Sequence, residues 1–369
     1  MKKYTKIGLS ALCGSLASIS AVNAGTLDVT GSAAATWTSL GGQVTGNPIG
    51  MTTGITFTGN GELDNGNTFK VTITHAAQDA YSTAGITLNT NSSGTFKLSS
   101  AEGSGGIGGY DDNMPTAWEE VWGTGITTNA NFQKGVGSST NINWTSPKIA
   151  GTKIHIAYAP DNDGAANVNK GVSGDASNAF GSGWDVVLDS STEGGEINLF
   201  LGASVTEQTD NSKAGQTPQL KDLGGDHEEG VVGLKFKLGP VEIGGQVSAE
   251  RLRTQTAGAN NYYANSSYGI AFNVNDNLSV SYARARHVAT KNKKRSTLEA
   301  SGTSYQRSAS VPLNEYTPKS WMRGDSLQAA YTVGGVALKY AQTDYDNTAY
   351  GFDTKTARTS RLVQVSLAF

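Results

Sequence analysis

Apolar and polar residues alternate one for one through most of this chain. Near the start Leu27, Val29, Ala33, Ala35 and Trp37 alternate with Asp28, Thr30, Ser32, Ala34 and Thr36, the period of a strand with two unlike faces. The same beat returns at Ile55/Phe57, Phe69/Val71/Ile73, Ile86/Leu88, Phe96/Leu98, Ile142/Trp144, Ile154/Ile156/Tyr158 and Trp184/Val186/Leu188. It continues from Ile197 to Val205, Val232 to Leu238, Val241 to Val247, Tyr268 to Val274 and Leu278 to Tyr282. Leu327 to Val333, Val336 to Tyr340 and Val363 to Phe369 complete a set of about sixteen predicted strands.

The connections alternate as well. Short turns at 64–67, 89–94, 147–151, 190–195, 239–240, 275–277 and 334–335 take turns with loops that are mostly long, at 101–139, 161–183, 207–230, 289–323 and 345–358. An even strand number with one rim of short turns and one of long loops is the pattern of a bacterial membrane barrel. The expected fold is therefore all-β, a transmembrane antiparallel β-barrel. Lys70, Thr72 and Thr74 share one face and Phe69, Val71 and Ile73 the other, and alternation by itself does not say which is inside. A leader sequence, aromatic residues at strand ends and the polar second set favour lipid outside and water inside.

Residues 1–24 read as that leader: Lys2, Lys3 and Lys6, an apolar stretch from Ile7 to Ser20, then the small-residue site Val22-Asn23-Ala24. The sole cysteine, Cys13, lies within it. Residues 25–369 carry all 8 prolines and glycine throughout, with no linker, so a single barrel domain is expected. Mean hydropathy of -0.33 would suit a soluble protein, but a barrel with a polar lumen has the same average. The formal charge is -3 for the chain and three more negative without the leader lysines. Acidic and basic residues are interspersed, which argues against a nucleic-acid partner.

The closing segment Arg361 to Phe369, RLVQVSLAF, resembles the terminal strand of outer-membrane proteins, with apolar residues at 363, 365 and 367 and a final Phe. With the strand count and the loop alternation, the chain resembles the general porins of Gram-negative bacteria. That resemblance implies a homotrimer of 16-stranded barrels in the bacterial outer membrane, passing small hydrophilic solutes without a chemical step. Its implied partners are outer-membrane lipid, lipopolysaccharide and, through Phe369, the barrel assembly machinery. An even count brings Phe369 to the rim where Leu27 and Val29 begin the first strand, with which the last can pair.

In that family the third external loop folds into the lumen and sets acidic residues against a basic wall. The third external loop here is 101–139, containing GYDDNMPTAWEEVW at 109–122, and the implied constriction acids are Glu102, Asp111, Asp112, Glu119 and Glu120. Pro115 is placed to start a short helix with Glu119 and Glu120 in its first turns and Trp118 and Trp122 on one face. Lumen-phase basic residues are Lys70, Lys97, Lys153 and Lys235, with Lys237 and Lys339 in the same phase. Arg251, Arg253, Arg284 and Arg286 fall in the lipid-facing phase, a departure from the family's inward arginines that leaves the direction of charge selectivity open.

Other motifs weigh less. Gly103-Ser-Gly105-Gly-Ile-Gly108 spells a dinucleotide fingerprint, but without a strand–helix unit it reads as a loop. Asp161 and Asp163 have the flavour of a calcium loop but lack the downstream Glu, so a loop calcium ion stays open and no other cofactor is expected. Lys291 to Arg295 is either a solvated charge run or a contact for lipopolysaccharide phosphates. His75, His155, His227 and His287 offer no metal-binding spacing, and no enzyme is expected. Two alternatives remain beside a general pore: a solute-specific channel of the same fold, and a secreted or surface β-rich binding protein.

Overall fold

The computed structural model describes residues 25–42, 46–76, 79–100, 106–137, 139–160, 180–208, 226–252, 260–291, 319–351 and 355–368. Leader residues 1–24 lie outside them, as do Glu102, Asp161, Asp163, Arg253, Lys293 to Arg295 and Phe369. Sixteen strands form, one on each alternating segment. The first six are β1 (Thr26–Gly41), β2 (Ile49–Glu62), β3 (Thr68–Ala76), β4 (Asp79–Thr90), β5 (Gly94–Ser100) and β6 (Asn141–Thr145). Then come β7 (Thr152–Ala159), β8 (Phe180–Ser191), β9 (Ile197–Gln208), β10 (His227–Leu238) and β11 (Val241–Arg251). The last five are β12 (Asn260–Asn273), β13 (Leu278–Lys291), β14 (Lys319–Val333), β15 (Val336–Tyr345) and β16 (Arg358–Ala368).

Every strand pairs antiparallel with its sequence neighbours, and β1 pairs with β16, so the sheet closes. The seam runs from Ser32 opposite Ala368 to Gly41 opposite Thr359. Leu27 and Val29 lie beyond it and pair with Gly59 and Phe57 of β2. Closure leaves no strand edge without hydrogen-bond partners, which is the condition for a sheet to stand in lipid.

The apolar set faces outward. On β9 Leu201 is 54% exposed while Phe200, its neighbour, is fully buried inside. Leu27, Val29, Trp37, Ile86, Leu98, Val186, Leu199, Val247, Leu327 and Leu338 all belong to the exposed outer set. Arg251, Arg284 and Arg286 share it, as their phase requires, towards the long-loop halves of β11 and β13. Arg284 bonds Asp325 on β14, Arg323 lies 2.6 Å from Asp346, and Arg251 lies 3.8 Å from Glu228. These charges are answered by partners across the ladder rather than left to the apolar band.

Two-residue turns at Gly239-Pro240 and Gly334-Gly335 close the short rim. Gly239 and Gly334 have φ of 60° and 57°, the left-handed conformation tight hairpins need and side-chain-bearing residues resist. From the long rim, residues 106–137 turn back into the barrel.

The outward assignment predicts an asymmetry. Leu201→Arg should cost roughly 2–4 kcal/mol of barrel stability, as a cation on a lipid-facing position near mid-membrane does. Thr30→Arg, on the lumen face, should cost within about 0.5 kcal/mol. Denaturant unfolding in bilayers measures both, and equal penalties would mean the faces are misassigned.

Candidate functional site

Residues 106–137 lie as a hairpin along the inner wall. The outgoing limb begins at the 3-10 turn Ile107–Tyr110 against β8 to β10, where Tyr110 Oη donates to Asp189 at 3.0 Å and its ring lies 5.0 Å from Phe200. It then passes β11, where the Gln246 side chain accepts from Asn113 N and donates to the Asp111 carbonyl. Ser281 of β13 accepts from Ala117 N, and Gln328 of β14 accepts from Trp118 N and Glu119 N. The limb ends at Thr124, whose hydroxyl bonds Thr343 and whose carbonyl accepts from Ser360 of β16.

The returning limb runs closer to the long-loop rim. Asn131 bonds Glu250 through its amide and Asn265 through its carbonyl, and Glu229 accepts Lys134 N and Gly135 N at 2.8 and 2.6 Å. Asp185, fully buried on β8, accepts Ile107 N at 3.1 Å and Val136 N at 3.0 Å. One carboxylate thus pins both limbs. Gly135 has φ of 57°, and a Cβ there would stand 2.2 Å from an Asp185 oxygen, so the chain approaches Asp185 as only glycine allows.

Apolar contact supplements these bonds. Ile107 and Met114 pack on Val187, Phe200 and Val231, and Val121 and Ile126 pack on Ala283, Ala285, Ala289, Met322, Tyr345 and Tyr350. Trp122 lies 4.3 Å from Phe132 and edge-on to buried His287 at 5.6 Å, between ring centroids. All of this lies on β7 to β16. The loop leaves most of the lumen face of β1 to β4 uncovered, touching it where Gly125 comes beside Thr38 and where Leu40 packs on the cluster of Val121 and Ile126, while Ser99, Asn141 and Asn143 of β5 and β6 are buried.

The helix expected from Pro115 does not form; the segment 111–120 is bends and irregular chain. The reason is competition for its backbone. The N–H groups of Ala117, Trp118 and Glu119 are taken by Ser281 and Gln328, and Pro115 lies flush against Gly269, where a Cβ would stand 2.2 Å from the Pro115 carbonyl oxygen. Consequently Trp118 and Trp122 do not share a face: Trp118 sits 5.7 Å from the Lys339 ammonium, while Trp122 turns to the wall.

Four of the five expected acids fall on the outgoing limb. Asp112 is exposed, and Asp111, Glu119 and Glu120 are half-buried. The Glu119 and Glu120 carboxylates converge near Gly123, where a Cβ would be 2.9 and 2.6 Å from their oxygens. Burial, with the neighbouring Asp112 charge, raises the Asp111 carboxyl to about 6. Burial, the hydrogen bond to Asp112 and the charge of Glu119 raise Glu120 to about 8, so Glu120 largely keeps its proton near neutrality.

The lysines face the lumen, on β3 (Lys70), β5 (Lys97), β7 (Lys153) and β10 (Lys235), each within a few residues of a short-rim turn. Lys153 stands opposite Asp189 in the ladder, and Lys235 lines a cavity of about 270 Å³ with Asp112, Pro115 and Glu242. They are spread along the wall rather than gathered opposite the acids. The anchors Asp185, Glu229, Gln246 and Gln328 did not emerge from the sequence reading. Their signal was present: beside them apolar residues also occupy the lumen phase, as in Val186-Val187-Leu188, Leu199-Phe200-Leu201 and Val231-Val232, which only a covered wall explains.

A closed barrel with an apolar outer face, a polar lumen and an inward loop is the architecture of a channel in an outer membrane. The sequence matches the family model described as Gram-negative porin over residues 8–314, and the chain belongs to that family, an outer-membrane channel for passive diffusion of solutes. No curated protein matches it. Among solved structures it is similar to Salmonella typhi OmpF in complex with daunomycin, at 13% identity, 94% of this chain and 98% of that one, TM-score 0.60. Vibrio cholerae OmpT in its trimer form matches at 11% identity over 94% and 100% of the chains, TM-score 0.57. The Acinetobacter baumannii outer membrane channel DcaP matches at 13% over 94% and 97%, TM-score 0.57. At these identities the likeness is one of fold.

Two outcomes follow. Asp185→Leu leaves two buried N–H groups without an acceptor, at about 1–3 kcal/mol each, and should free the hairpin, seen as larger and noisier single-channel currents; quiet currents of unchanged size would show that Asp185 is dispensable. Because raised carboxyl groups are neutral below their pKa and charged above it, cation preference should climb between about pH 5 and 9. Glu120→Gln should remove the upper part of that climb, and a pH profile identical to that of the unaltered protein would refute the assignment.

Proposed function

We propose that the hairpin 106–137 narrows the pore and that Asp112, Glu119 and Glu120, with Asp111, bias it towards cations among small hydrophilic solutes. The observation that carries this reading is the division of the lumen. The loop and its acids occupy β7 to β16, and the open face across from them bears the hydroxyl and amide groups of Thr30, Thr36, Thr56, Thr58, Asn60 and Thr74, with Lys70 towards its short-rim end. The lysines stand nearer the short rim. Of the described strand arginines, Arg251, Arg284, Arg286, Arg323 and Arg361 point outward, while Arg358 has the lumen phase and donates to the Gly42 carbonyl; the cations beside the acids are Lys235, in the cavity with Asp112, and Lys339, over Trp118. Solutes would pass by size and charge, with no chemical step.

The pore works as a homotrimer in this reading. Gly31, Ala33 and Ala35 on the outer face of β1 are small enough for barrels to pack closely, and the Vibrio cholerae OmpT structure is titled a trimer form. Outer-membrane lipid surrounds the apolar band, lipopolysaccharide phosphates meet the basic run that begins at Lys291, and Phe369 is the handle for the assembly machinery. A solute-specific pore is less well supported, because Tyr110, Trp122 and Phe132 are engaged with wall residues or one another rather than laid out as a ladder.

Planar-bilayer recording tests the proposal. The unaltered channel should show a reversal potential of cation sign in a salt gradient. The double substitution Glu119→Gln and Glu120→Gln should move it towards zero while open-channel conductance persists. A reversal potential that does not move removes both residues from the selective part of the pore.

A further inference from the structure

Among the described residues one group of three side chains brings metal-ligand atoms together: His227, Glu229 and Glu250, whose ligand atoms all lie within 4.8 Å of one another. Histidine spacing along the chain does not reveal it. His227 and Glu229 are two apart on β10 and share its lumen face, and the ladder sets Glu250 of β11 directly opposite Glu229. His227 Nε2 lies 3.0 Å from one Glu250 oxygen and 3.7 Å from one Glu229 oxygen. Donors at 2.0–2.1 Å around a tetrahedral cation stand about 3.4 Å apart, the middle of that range.

The surroundings suit a bound cation. The Glu229 and Glu250 side chains are 1% and 4% exposed, and two buried carboxylates side by side repel unless positive charge lies between them. Lys134 N and Gly135 N on Glu229, and the Asn131 amide on Glu250, fix the carboxylates from behind and leave each oxygen a further lone pair. One imidazole with two carboxylates suits a borderline metal such as Zn²⁺ or Mn²⁺; Ca²⁺ takes six to eight oxygens, more than this set presents.

We infer that His227, Glu229 and Glu250 form a divalent-cation site that fastens the returning limb of the inner loop to β10 and β11. The cation joins the two strands through their side chains, and the same carboxylates hold Asn131, Lys134 and Gly135, so the ion stiffens the hairpin over the pore. The rival is a protonated imidazole lying between the carboxylates with no metal.

The test is calorimetric titration of untagged, chelator-washed, detergent-folded protein with ZnCl2 at about pH 7.5, where a coordinating cation displaces any proton on the imidazole. A single saturable site is expected, with CaCl2 binding weaker by roughly tenfold or more. His227→Ala and Glu250→Gln should each weaken Zn²⁺ binding by roughly tenfold or more. Glu250→Gln keeps an acceptor for Asn131, and compact migration on a gel before boiling reports that each variant is folded. Saturable binding lost in both folded variants supports the site. No saturable Zn²⁺ binding, or affinity unchanged in either folded variant, overturns it in favour of the protonated imidazole. Neither result bears on whether the pore prefers cations, which the Glu119 and Glu120 substitutions decide separately.

Discussion

A peptide N–H or C=O exposed to hydrocarbon without a partner costs several kcal/mol, and the rest of this structure follows from avoiding that cost. Sixteen strands satisfy one another only if the last meets the first, and β16 does so along Ser32 to Gly41 of β1. Closure fixes which face of every strand meets lipid, since a one-residue slip would exchange the faces. It explains why apolar residues as large as Leu27, Met51 and Leu201 stand exposed on an isolated chain, and why outward charges such as Arg284 and Asp325 come in pairs.

The same constraint acts inside, on the loop. Its hairpin has almost no regular structure of its own, yet it is pressed against the wall, so its N–H groups need acceptors there. The strands supply them as side chains: Asp185, Glu229, Gln246, Ser281 and Gln328 each take one or two. Polar residues on the lumen face therefore do two different jobs. On β1 to β4 most of them meet water, whereas on β8 to β14 many are scaffolding for a segment of chain that cannot satisfy itself.

How much of this was legible in the sequence depends on whether the signal was periodic. Strand number, rim assignment and outer face were, because each strand repeats the same alternation and turns such as Gly239-Pro240 mark its end. Placement of the acids on the third loop was legible only through resemblance, and the course of that loop was not. Pro115 and the spacing of Trp118 and Trp122 describe a helix in isolation. What they lack is the wall, where Gln328 and Ser281, more than 160 positions away, take the backbone donors a helix would use. His227 and Glu250 illustrate the same limit, since only strand register puts them within 3.0 Å. A missed clue was local: Phe200 between Leu199 and Leu201 breaks the alternation where the wall is covered.

Rigidity and charge pull against each other in such a loop. Seating the hairpin firmly requires that it be packed, and packing removes water from the carboxyl groups it carries, which raises Asp111 to about 6 and Glu120 to about 8. A loop buried further would hold its shape better and present less charge to a passing ion. The chain resolves this by dividing the tasks. Anchoring falls to Asp185 and Glu229 on the wall, both buried, while Asp112 stays exposed on the outgoing limb of the hairpin, so the field in the pore depends on how far each carboxylate projects rather than on how many the loop contains.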